Sequence, residues 1–377
     1  MNKLIRLAHD FHTRAAVLLG RGLRHATTEE ARAAALKSWT LQTAGTRTLD
    51  NKLEHTLYDV CPAQIDMHWK EVVCHEFANA CLTGDDGAVF LSSGLHLKDC
   101  PSLARHPDRK IRRPLRLLAQ KIEEPCFHLA GRNYENHGHF LLHHLPRLLA
   151  AHNDLAAMGN PRILLGNREK RWQTRYLAAV GTPPEQVRRA GSGTTLVKRL
   201  FYTPQMWTDT ALAAPEILLR IRTTFLACAG PLPDAQPPVL VSRADAPDRR
   251  LLNERDIAAE MERQWGACEV LELSKLDFAT QVRKFAAAPL IVGALGQGFA
   301  NLLVSSNALC LILDTEVKWG ESYFSQTFRD LGLLHGNLAS RLFADRPIQK
   351  REHWSYPIDK FKEELARATS LWKQHHP

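Results

Sequence analysis

Residues 239–301 constrain the fold of this chain more than any other stretch, because short apolar segments alternate there with amphipathic ones. Apolar segments at 239–242, 270–273, 290–292 and, just beyond, 309–313 predict buried strands. Helices are predicted between them, with Asn253 and Asp277 placed as N-caps and Gly266 as a stop signal. Strands that alternate with helices in this way are typical of a parallel, doubly wound α/β sheet.

A glycine-rich turn follows the predicted strand at 290–292. Gly293, Gly296 and Gly298 let the backbone approach a ligand closely, and the start of the next helix offers N–H groups to an anion. The spacing is neither that of a Rossmann fingerprint nor that of a P-loop. The turn therefore indicates either a phosphate-binding loop or a tight connection without a ligand. Asn301 is placed to cap the helix or contact a sugar, or is a surface amide.

Arginines follow the predicted strand at 239–242. Ser242 and Arg243 come first, then Arg249 and Arg250. Open α/β sheets bind ligands at the carboxyl ends of their strands, and the guanidinium fork matches a diphosphate. A solvated basic turn is the alternative for each arginine. Glu254 either compensates these charges, accepts a hydrogen bond from a hydroxyl, or faces the helix dipole.

Four histidines lie within residues 137–144, in a segment predicted to be helical over 136–151 with a kink at Pro146. His139 and His143 are four residues apart and share one helix face. Imidazole titrates near neutral pH, so either residue is a candidate general base. The spacing also suits a metal, but no third ligand is evident, and we predict no metal site. A structural role for each histidine stays open.

The first half of the chain carries most of the positive charge. The formal net charge is +9, and residues 101–200 hold 18 Lys and Arg against 7 Asp and Glu. This excess indicates either an ordinary solvated surface or a face for acidic lipid headgroups or an anionic acceptor. No recognised nucleic-acid motif accompanies it, so we expect no nucleic-acid partner.

Residues 1 to about 50 are rich in Ala and Arg and are predicted to be helical. The first 25 are basic and amphipathic, which suits a plain surface helix or a helix lying on a membrane. No apolar run approaches the ~20 residues of a membrane span, and cysteines without a CxxC pair are typical of a reducing cytoplasm. Strands predicted at 161–165 and 194–202 and a helix at 171–180 extend the α/β layering to this half.

Three motifs together resemble glycosyltransferase family 61, which groups bacterial capsule and lipopolysaccharide enzymes with eukaryotic xylosyl- and N-acetylglucosaminyltransferases. The first motif is matched by Asn136, His139, Phe140, Leu141, Leu142, Leu145, Pro146, Arg147 and Leu148. The second and most specific is matched by Ser242, Arg243, Ala246, Arg249, Arg250, Asn253 and Glu254. The third is matched by Phe278, Gln281, Gly293, Gly296 and Asn301.

The resemblance implies a GT-B-like α/β fold, in which two Rossmann-like, doubly wound domains face each other across a cleft. We expect an acceptor-side domain at 1–230 with a helical N-terminal extension, and a proline-rich linker at 231–238. A donor-nucleotide domain would follow at 239–350, and a C-terminal helix at 351–377 would pack back on the first domain.

The resemblance also implies transfer of a sugar from a nucleotide-sugar, with a UDP-sugar expected, to a saccharide or lipid-linked acceptor in surface polysaccharide biosynthesis. The family is similar to inverting, metal-independent enzymes, so no cofactor is expected and arginines would stabilise the leaving diphosphate. Such an enzyme is expected in the cytoplasm, where the basic segment allows peripheral contact with acidic membrane. His139 or His143 would be the base, and the donor would be bound by Ser242, Arg243, Arg249, Arg250, Asn253, Glu254, Gly293, Gly296, Gln297, Gly298 and Asn301.

Three positions depart from the family pattern. Leu295 stands where the family carries a histidine, Gln297 replaces a small residue, and His143 replaces an acidic one. His143 can still act as a base, whereas Leu295 cannot replace a hydrogen-bonding group. A non-catalytic homologue that binds nucleotide-sugars therefore stays open. A nicotinamide oxidoreductase is a further alternative, although the G-x-G-x-x-G spacing is missing.

Overall fold

A computed structural model describes residues 24–58, 61–84, 87–97, 113–131, 133–168, 170–204, 212–315, 323–344 and 352–376. The amphipathic helix predicted for the N-terminus falls on residues 1–23 and so lies outside the described residues, as do residues 101–112 of the basic segment. No helix within these ranges is long and apolar enough to cross a membrane.

Short strands dominate the chain before residue 130. The elements there are β1 (His25–Ala26), α1 (Thr28–Ala34), β2 (Lys37–Gln42), β3 (Gly45–Asp50), α2 (Lys52–Leu57), β4 (Gln64–Trp69), β5 (Val72–Thr83), β6 (Ala88–Phe90), β7 (His96–Leu97), β8 (Gln120–Ile122) and β9 (Cys126–His128). The expectation that residues up to about 50 are helical is therefore wrong for the described part. β2 contains Trp39 and Thr40, and β3 contains Thr46 and Thr48; such side chains favour strands.

Helices and strands alternate in the remainder of the chain. They are α3 (His137–His139), a π-helical turn (Phe140–His144), α4 (Leu145–Ala151), β10 (Arg162–Leu165), α5 (Arg171–Ala179), β11 (Val187–Arg189), β12 (Thr194–Tyr202), α6 (Pro215–Ala229), β13 (Val239–Val241), α7 (Glu254–Trp265), β14 (Glu269–Leu271), α8 (Phe278–Ala287), β15 (Leu290–Ala294), a 3₁₀ helix (Gln297–Leu303), β16 (Leu309–Asp314), α9 (Tyr323–Leu334), β17 (Leu338–Phe343) and α10 (Ile358–His375).

The described residues form two compact units. The first lies within 1–45 and 69–208, and the second within 46–68 and 209–377. The proline-rich stretch that was expected to link two domains has no helix or strand at 230–238, and it lies inside the second unit. There the helix before it is held to α8, because Arg283 donates to the carbonyl of Ala229 at 2.7 Å and Phe225 contacts Phe278.

The first unit is built on a ten-stranded mixed sheet with the order β1-β7-β6-β5-β12-β9-β10-β11, to which β2 and β8 add at β5 and β12. The strands β12, β9, β10 and β11 are parallel, as the α/β prediction requires. By contrast, β5 runs antiparallel to β2, β6 and β12. The expected doubly wound parallel sheet is therefore wrong for this part, because short turns such as that at Gly94 (φ 87°) return the chain directly.

The predicted helix over 136–151 is present, and Pro146 alters it as expected. Pro146 has no amide hydrogen, and its ring excludes the carbonyl four residues earlier from a normal helical position. The backbone widens instead, and the amide of Leu145 donates to the carbonyl of Phe140, five residues back. The π-helical turn is thus a local consequence of the proline, and it sets the directions of the histidines in it.

The second unit contains the parallel sheet that the sequence predicts. Its five strands are all parallel in the order β14-β13-β15-β16-β17. The central strands β15 and β16 are buried along their whole length. Two predicted helix signals are present, since Asp277 accepts from the amide of Thr280 and Gly266 ends α7 with φ 82°.

One face of this sheet is covered by α7, α10 and the distant helix α2. Leu53 of α2, Met261 of α7 and Phe361 of α10 belong to one apolar core with the strands. Each such side chain contributes roughly 1.5–3 kcal/mol when it is fully buried. Glu54 of α2 is fully buried as well, and it accepts from Nε of Arg341 at 2.8 Å. Residues 46–68 are therefore an integral layer of the second unit.

Candidate functional site

The order of the second sheet identifies where a ligand would bind. In chain order the five strands are arranged 2-1-3-4-5, so the strand order reverses between β13 and β15. Open α/β sheets bind ligands beyond the carboxyl ends of the two strands at such a reversal. The loops at that edge follow Val241 and Ala294, and they carry the predicted arginines and glycines. Sequence-predicted donor residues are thus brought together here.

Glu254, the first residue of α7, holds the loop after β13. One carboxylate oxygen accepts from Oγ of Ser242 at 2.6 Å, and the other accepts from the backbone N–H of Arg243 at 2.7 Å. Oγ of Ser242 in turn accepts from the amide of Ala244 at 3.1 Å. The serine and the glutamate therefore position the arginine.

The side chain of Arg243 folds under its own loop. Its Nη2 donates to the carbonyl of Asp248 at 3.0 Å, and its Nε donates to the carbonyl of Arg249 at 3.3 Å. Burial of the guanidinium, and then the charge of Arg249, lower the pKa of Arg243 below its ordinary value despite nearby carboxylates. No carboxylate in the described ranges forms an ion pair with it. An anion bound at this position would compensate the buried charge.

The three glycines of the turn have different reasons for being glycine. A Cβ at Gly296 would overlap Nη1 of Arg243, so the absent side chain makes room for the guanidinium. A Cβ at Gly293 would lie 2.8 Å from the carbonyl oxygen of Val241, and one at Gly298 would lie 2.7 Å from Leu273. Gly293 and Gly298 therefore permit close strand and helix packing.

Three other predicted residues lie at the rim of this edge. Arg249 and Arg250 are exposed, and Gln297 is half-buried. Arg249 adopts a left-handed backbone conformation with φ 57°, which costs a non-glycine residue roughly 1–2 kcal/mol. This conformation belongs to the loop whose Arg249 carbonyl accepts the hydrogen bond from Arg243. Strained residues of this kind often occur at ligand sites.

The two predicted asparagines are held by the protein itself. Asn253 precedes α7, but its side chain does not cap the helix. It donates to the carbonyl of Tyr356 at 2.8 Å and accepts from the amide of Tyr356 at 3.1 Å, so the predicted cap is wrong. Asn301 is 5% exposed, and its amide lies 3.4 Å from the side chain of Gln281.

The two candidate bases lie in the first unit. His139 and His143 are each 4% exposed, and their Nδ1 atoms are 3.0 Å apart. Because one Nδ1 must donate to the other, the two rings share a proton along this contact. Burial, and then the charge of His139, hold the pKa of His143 well below its ordinary value. Within the described ranges, no three His, Cys, Asp or Glu side chains are grouped so that they could hold a metal ion.

Residues 137–312 match the family model described as Glycosyltransferase 61. This part of the chain, a little less than half of its length, is similar to glycosyltransferase family 61. A glycosyltransferase has a donor and an acceptor substrate, and every candidate residue of both units lies inside the matched range. A comparison with curated proteins finds no match to the chain.

Leu295 directly precedes Gly296, the residue whose missing side chain makes room for Arg243. It follows the last residue of β15, is half-buried, and donates its amide to the carbonyl of Leu313 at 2.8 Å. An apolar side chain thus stands at the sheet edge where the resemblance leads to a histidine. The side chain of Leu295 cannot form a hydrogen bond, so this chain either makes the bond expected from a histidine with another residue or lacks it.

Arg147 is a residue of the first motif whose role the sequence did not reveal. It is fully buried, and it donates to the carbonyls of Ala130, His128 and Thr203. Its Nε also donates to Oγ1 of Thr203 at 2.8 Å. Arg147 therefore ties the histidine helix to the ends of β9 and β12. The sequence signal for such a role is a single arginine within the apolar run 145–151.

Proposed function

We propose that this glycosyltransferase binds a nucleotide-sugar, with a UDP-sugar as the expected donor, at the edge where β13 and β15 end. The observation that carries the proposal is the guanidinium of Arg243, which is half-buried at that edge without a carboxylate ion pair in the described residues. A diphosphate matches the guanidinium fork through charge-assisted hydrogen bonds. Arg249 and Arg250 lie exposed on the same loop and would extend the positive field over the nucleotide.

The same groups would act on the leaving diphosphate. As the bond from the anomeric carbon to the diphosphate breaks, negative charge grows on the phosphate oxygens. A guanidinium that is already fixed by two carbonyls needs little reorganisation to stabilise this charge. This supports a metal-independent reaction in which the arginine loop takes the place that a divalent cation has in other enzymes.

The histidine pair is proposed as the base that deprotonates the acceptor hydroxyl. In the neutral pair, the ring that donates from Nδ1 has a lone pair on Nε2, and this nitrogen can accept a proton. Because the pKa of His143 is lowered, His143 stays neutral at pH 7 and suits the accepting role towards His139. We therefore favour His139 as the base. A single displacement by the activated hydroxyl would invert the anomeric carbon.

The proposal includes the GT-B arrangement, with the histidine unit on the acceptor side and the arginine unit on the donor side. The acceptor would be a saccharide or a lipid-linked glycan in surface polysaccharide assembly. The excess of 18 basic over 7 acidic side chains at 101–200 supports an anionic acceptor or peripheral contact with acidic membrane. A cytoplasmic location at the inner face of the plasma membrane would suit both.

Calorimetry with UDP-, GDP-, CMP- and dTDP-sugars tests the donor site. We expect Arg243→Ala to weaken binding of the accepted donor by about 10- to 100-fold while the fold is retained. The matched control is Arg255→Ala, since Arg255 is exposed on α7 in the same unit and forms none of these contacts. Equal donor affinity in the two variants would contradict the assignment.

Transfer assays with a panel of saccharide acceptors test the chemistry. We expect His139→Ala to lose transfer while donor affinity is unchanged, because the histidines belong to the other unit. If the wild-type chain binds a donor but transfers sugar to no acceptor, the result would instead support a non-catalytic homologue that binds nucleotide-sugars. Leu295 is the residue that suggests this alternative. Binding of NAD in place of nucleotide-sugars would support the oxidoreductase alternative.

A further inference from the structure

A second group of cations lies in the second unit, at the sheet edge opposite the Arg243 loop. Ser306 lies just before β16, and His335 lies just before β17, so both are at the amino ends of parallel strands. Arg243 follows a carboxyl end. Arg222 of α6 reaches the same amino edge, because its Nη2 donates to Oγ of Ser306 at 2.9 Å.

The two loops that carry Ser306 and His335 are joined firmly. Asn337 accepts from Oγ of Ser305 at 3.1 Å and from the amide of Ala308 at 3.0 Å. A Cβ at Gly336 would lie 3.9 Å from Oδ1 of Asn307, so the loop tips are neighbours. These contacts hold the loops of Ser306 and His335 in fixed positions relative to each other.

Two nitrogens in this group have no hydrogen-bond partner among the described residues. They are Nε of Arg222 and Nε2 of His335, and both atoms are buried. An unsatisfied buried polar group costs about 1–3 kcal/mol, so each requires an explanation. In the described ranges, no carboxylate forms an ion pair with Arg222 or with Arg47. Burial, followed by the charges of these two arginines, lowers the pKa of His335 to about 4.

We propose that Arg222, Ser306 and His335 form a site for a phosphate-class oxyanion, separate from the donor site. Nε of Arg222 and Nε2 of His335, in the tautomer that carries its hydrogen on Nε2, would each donate to an oxygen of the anion. The hydroxyl of Ser306 accepts from Arg222, so its own hydrogen is available for a third bond. The anion would compensate the positive charge of Arg222, with Arg47 adding to the field. The phosphate is either free in solution or part of a lipid headgroup.

Nuclear magnetic resonance of the imidazole of His335 tests the proposal with inorganic phosphate as the probe. The anion favours the protonated ring, so saturating phosphate should raise the pKa of His335 by roughly 1 unit or more. The titration is done on the full chain carrying Arg243→Ala, so that phosphate at the donor loop does not contribute. We expect Arg222→Gln to weaken phosphate binding at least tenfold and to abolish the shift.

The matched control is Arg220→Gln, which removes the same charge two residues away on α6. A second variant, His335→Gln, gives an independent reading by calorimetry if Arg222→Gln unfolds. Sedimentation with phosphatidylglycerol vesicles and with phosphatidylcholine vesicles separates the two sources. Binding to the anionic vesicles that is lost in Arg222→Gln supports a headgroup, and phosphate binding alone supports a soluble anion. An unchanged pKa of His335 in saturating phosphate, or equal phosphate affinity in the Arg222 and Arg220 variants, would overturn the proposal.

Discussion

Arg147 has no exposed surface, and its guanidinium donates to three backbone carbonyls. A buried guanidinium of this kind holds several chain segments at once, because its five N–H groups point in fixed directions. Removing it would leave the carbonyls of Ala130, His128 and Thr203 without their donor.

We therefore expect Arg147→Met to destabilise the first unit by about 3 kcal/mol or more, as several buried acceptors lose their partner. Urea denaturation followed by circular dichroism measures the effect. Arg175→Met is the control, because Arg175 is exposed on α5 and its loss should change the free energy of unfolding by less than about 0.5 kcal/mol. Similar losses in both variants would contradict a structural role for Arg147.

His128 gives the first unit a dependence on pH. Burial, and then the charge of Arg147, lower the pKa of His128 to about 3, although the contact with the carbonyl of Gly87 opposes this. An unfolded histidine binds a proton near pH 6.5, so between pH 6.5 and about 3 protons favour the unfolded chain. Stability should fall by about 1.4 kcal/mol per pH unit in this window, or about 2 kcal/mol between pH 6.5 and 5.

Thermal unfolding between pH 7 and pH 5 checks this expectation. The midpoint should fall with pH in the wild-type chain, and the slope should be smaller in His128→Gln. Replacement of the exposed His68 should leave the slope as it is in the wild type. A slope that His128→Gln does not change would show that other groups cause the acid sensitivity.

Sequence and structure agree at the residue scale where a residue's role is local. The arginines and glycines at the carboxyl ends of strands could be located because strand and turn signals are short-range. The hydrogen-bond partners of Asn253, Asn301 and Glu254 could not be predicted. Each of these bonds joins residues that are far apart in sequence or whose contact depends on the conformation of a loop. Asn253 was predicted to cap α7, but its side chain bonds to the backbone of Tyr356 instead. An asparagine before a helix looks the same in the sequence in both cases.

At the scale of elements, the strands and helices of residues 239–314 were predicted to within a few residues. Their apolar periodicity and caps, such as Asp277 and Gly266, are encoded locally. β2 and β3 were missed because most of their residues are half-exposed or exposed, and β2 pairs with β5, which lies well beyond it along the chain. The antiparallel position of β5 likewise depends on long-range pairing with β12, which local patterns do not specify.

The turn after β15 gives a prediction that separates binding from folding. Gly296→Ala should displace the guanidinium of Arg243 and weaken donor binding about tenfold or more, with little change in the midpoint of thermal unfolding. Gly293→Ala should instead destabilise the second unit by about 1–3 kcal/mol, because its Cβ would meet the backbone of Val241. Calorimetry and thermal unfolding of both variants test this. Identical effects of the two substitutions would contradict the assigned difference.

At the scale of the whole molecule, the second unit is assembled from two separate stretches of chain. The stretch 46–68 is held by Glu54, which bonds to Arg341 and Arg329, and by Tyr58, which donates to Glu364 at 2.6 Å. Burial alone would raise the pKa of Glu54, but the hydrogen bond from Arg341 and the charges of both arginines lower it overall. The sequence did not predict that residues 46–68 pack in the second unit, because the side chains that hold them there lie far apart along the chain.

Glu54→Gln should therefore destabilise the second unit by about 3 kcal/mol, since buried Arg329 and half-buried Arg341 lose the carboxylate that they share, although Arg329 keeps its ion pair with Asp330. Glu363→Gln, on the exposed side of α10, is the control and should have little effect. Hydrogen exchange followed by mass spectrometry locates the change, with faster exchange expected in α2, α9 and β17. Uniform protection in the two variants would show that Glu54 is not an anchor.

The anchoring of residues 46–68 also has a consequence for how the protein is made. The ribosome reaches Arg329 and Arg341 only 275 and 287 residues after Glu54. At about 5–20 residues per second, α2 waits about 15–60 s for the partners that bury Leu53 and Glu54. During that interval its apolar and charged groups are open to chaperones and proteases. Expression of residues 209–377 alone would give the complementary incomplete unit, in which Arg329 and Arg341 lack their partner Glu54.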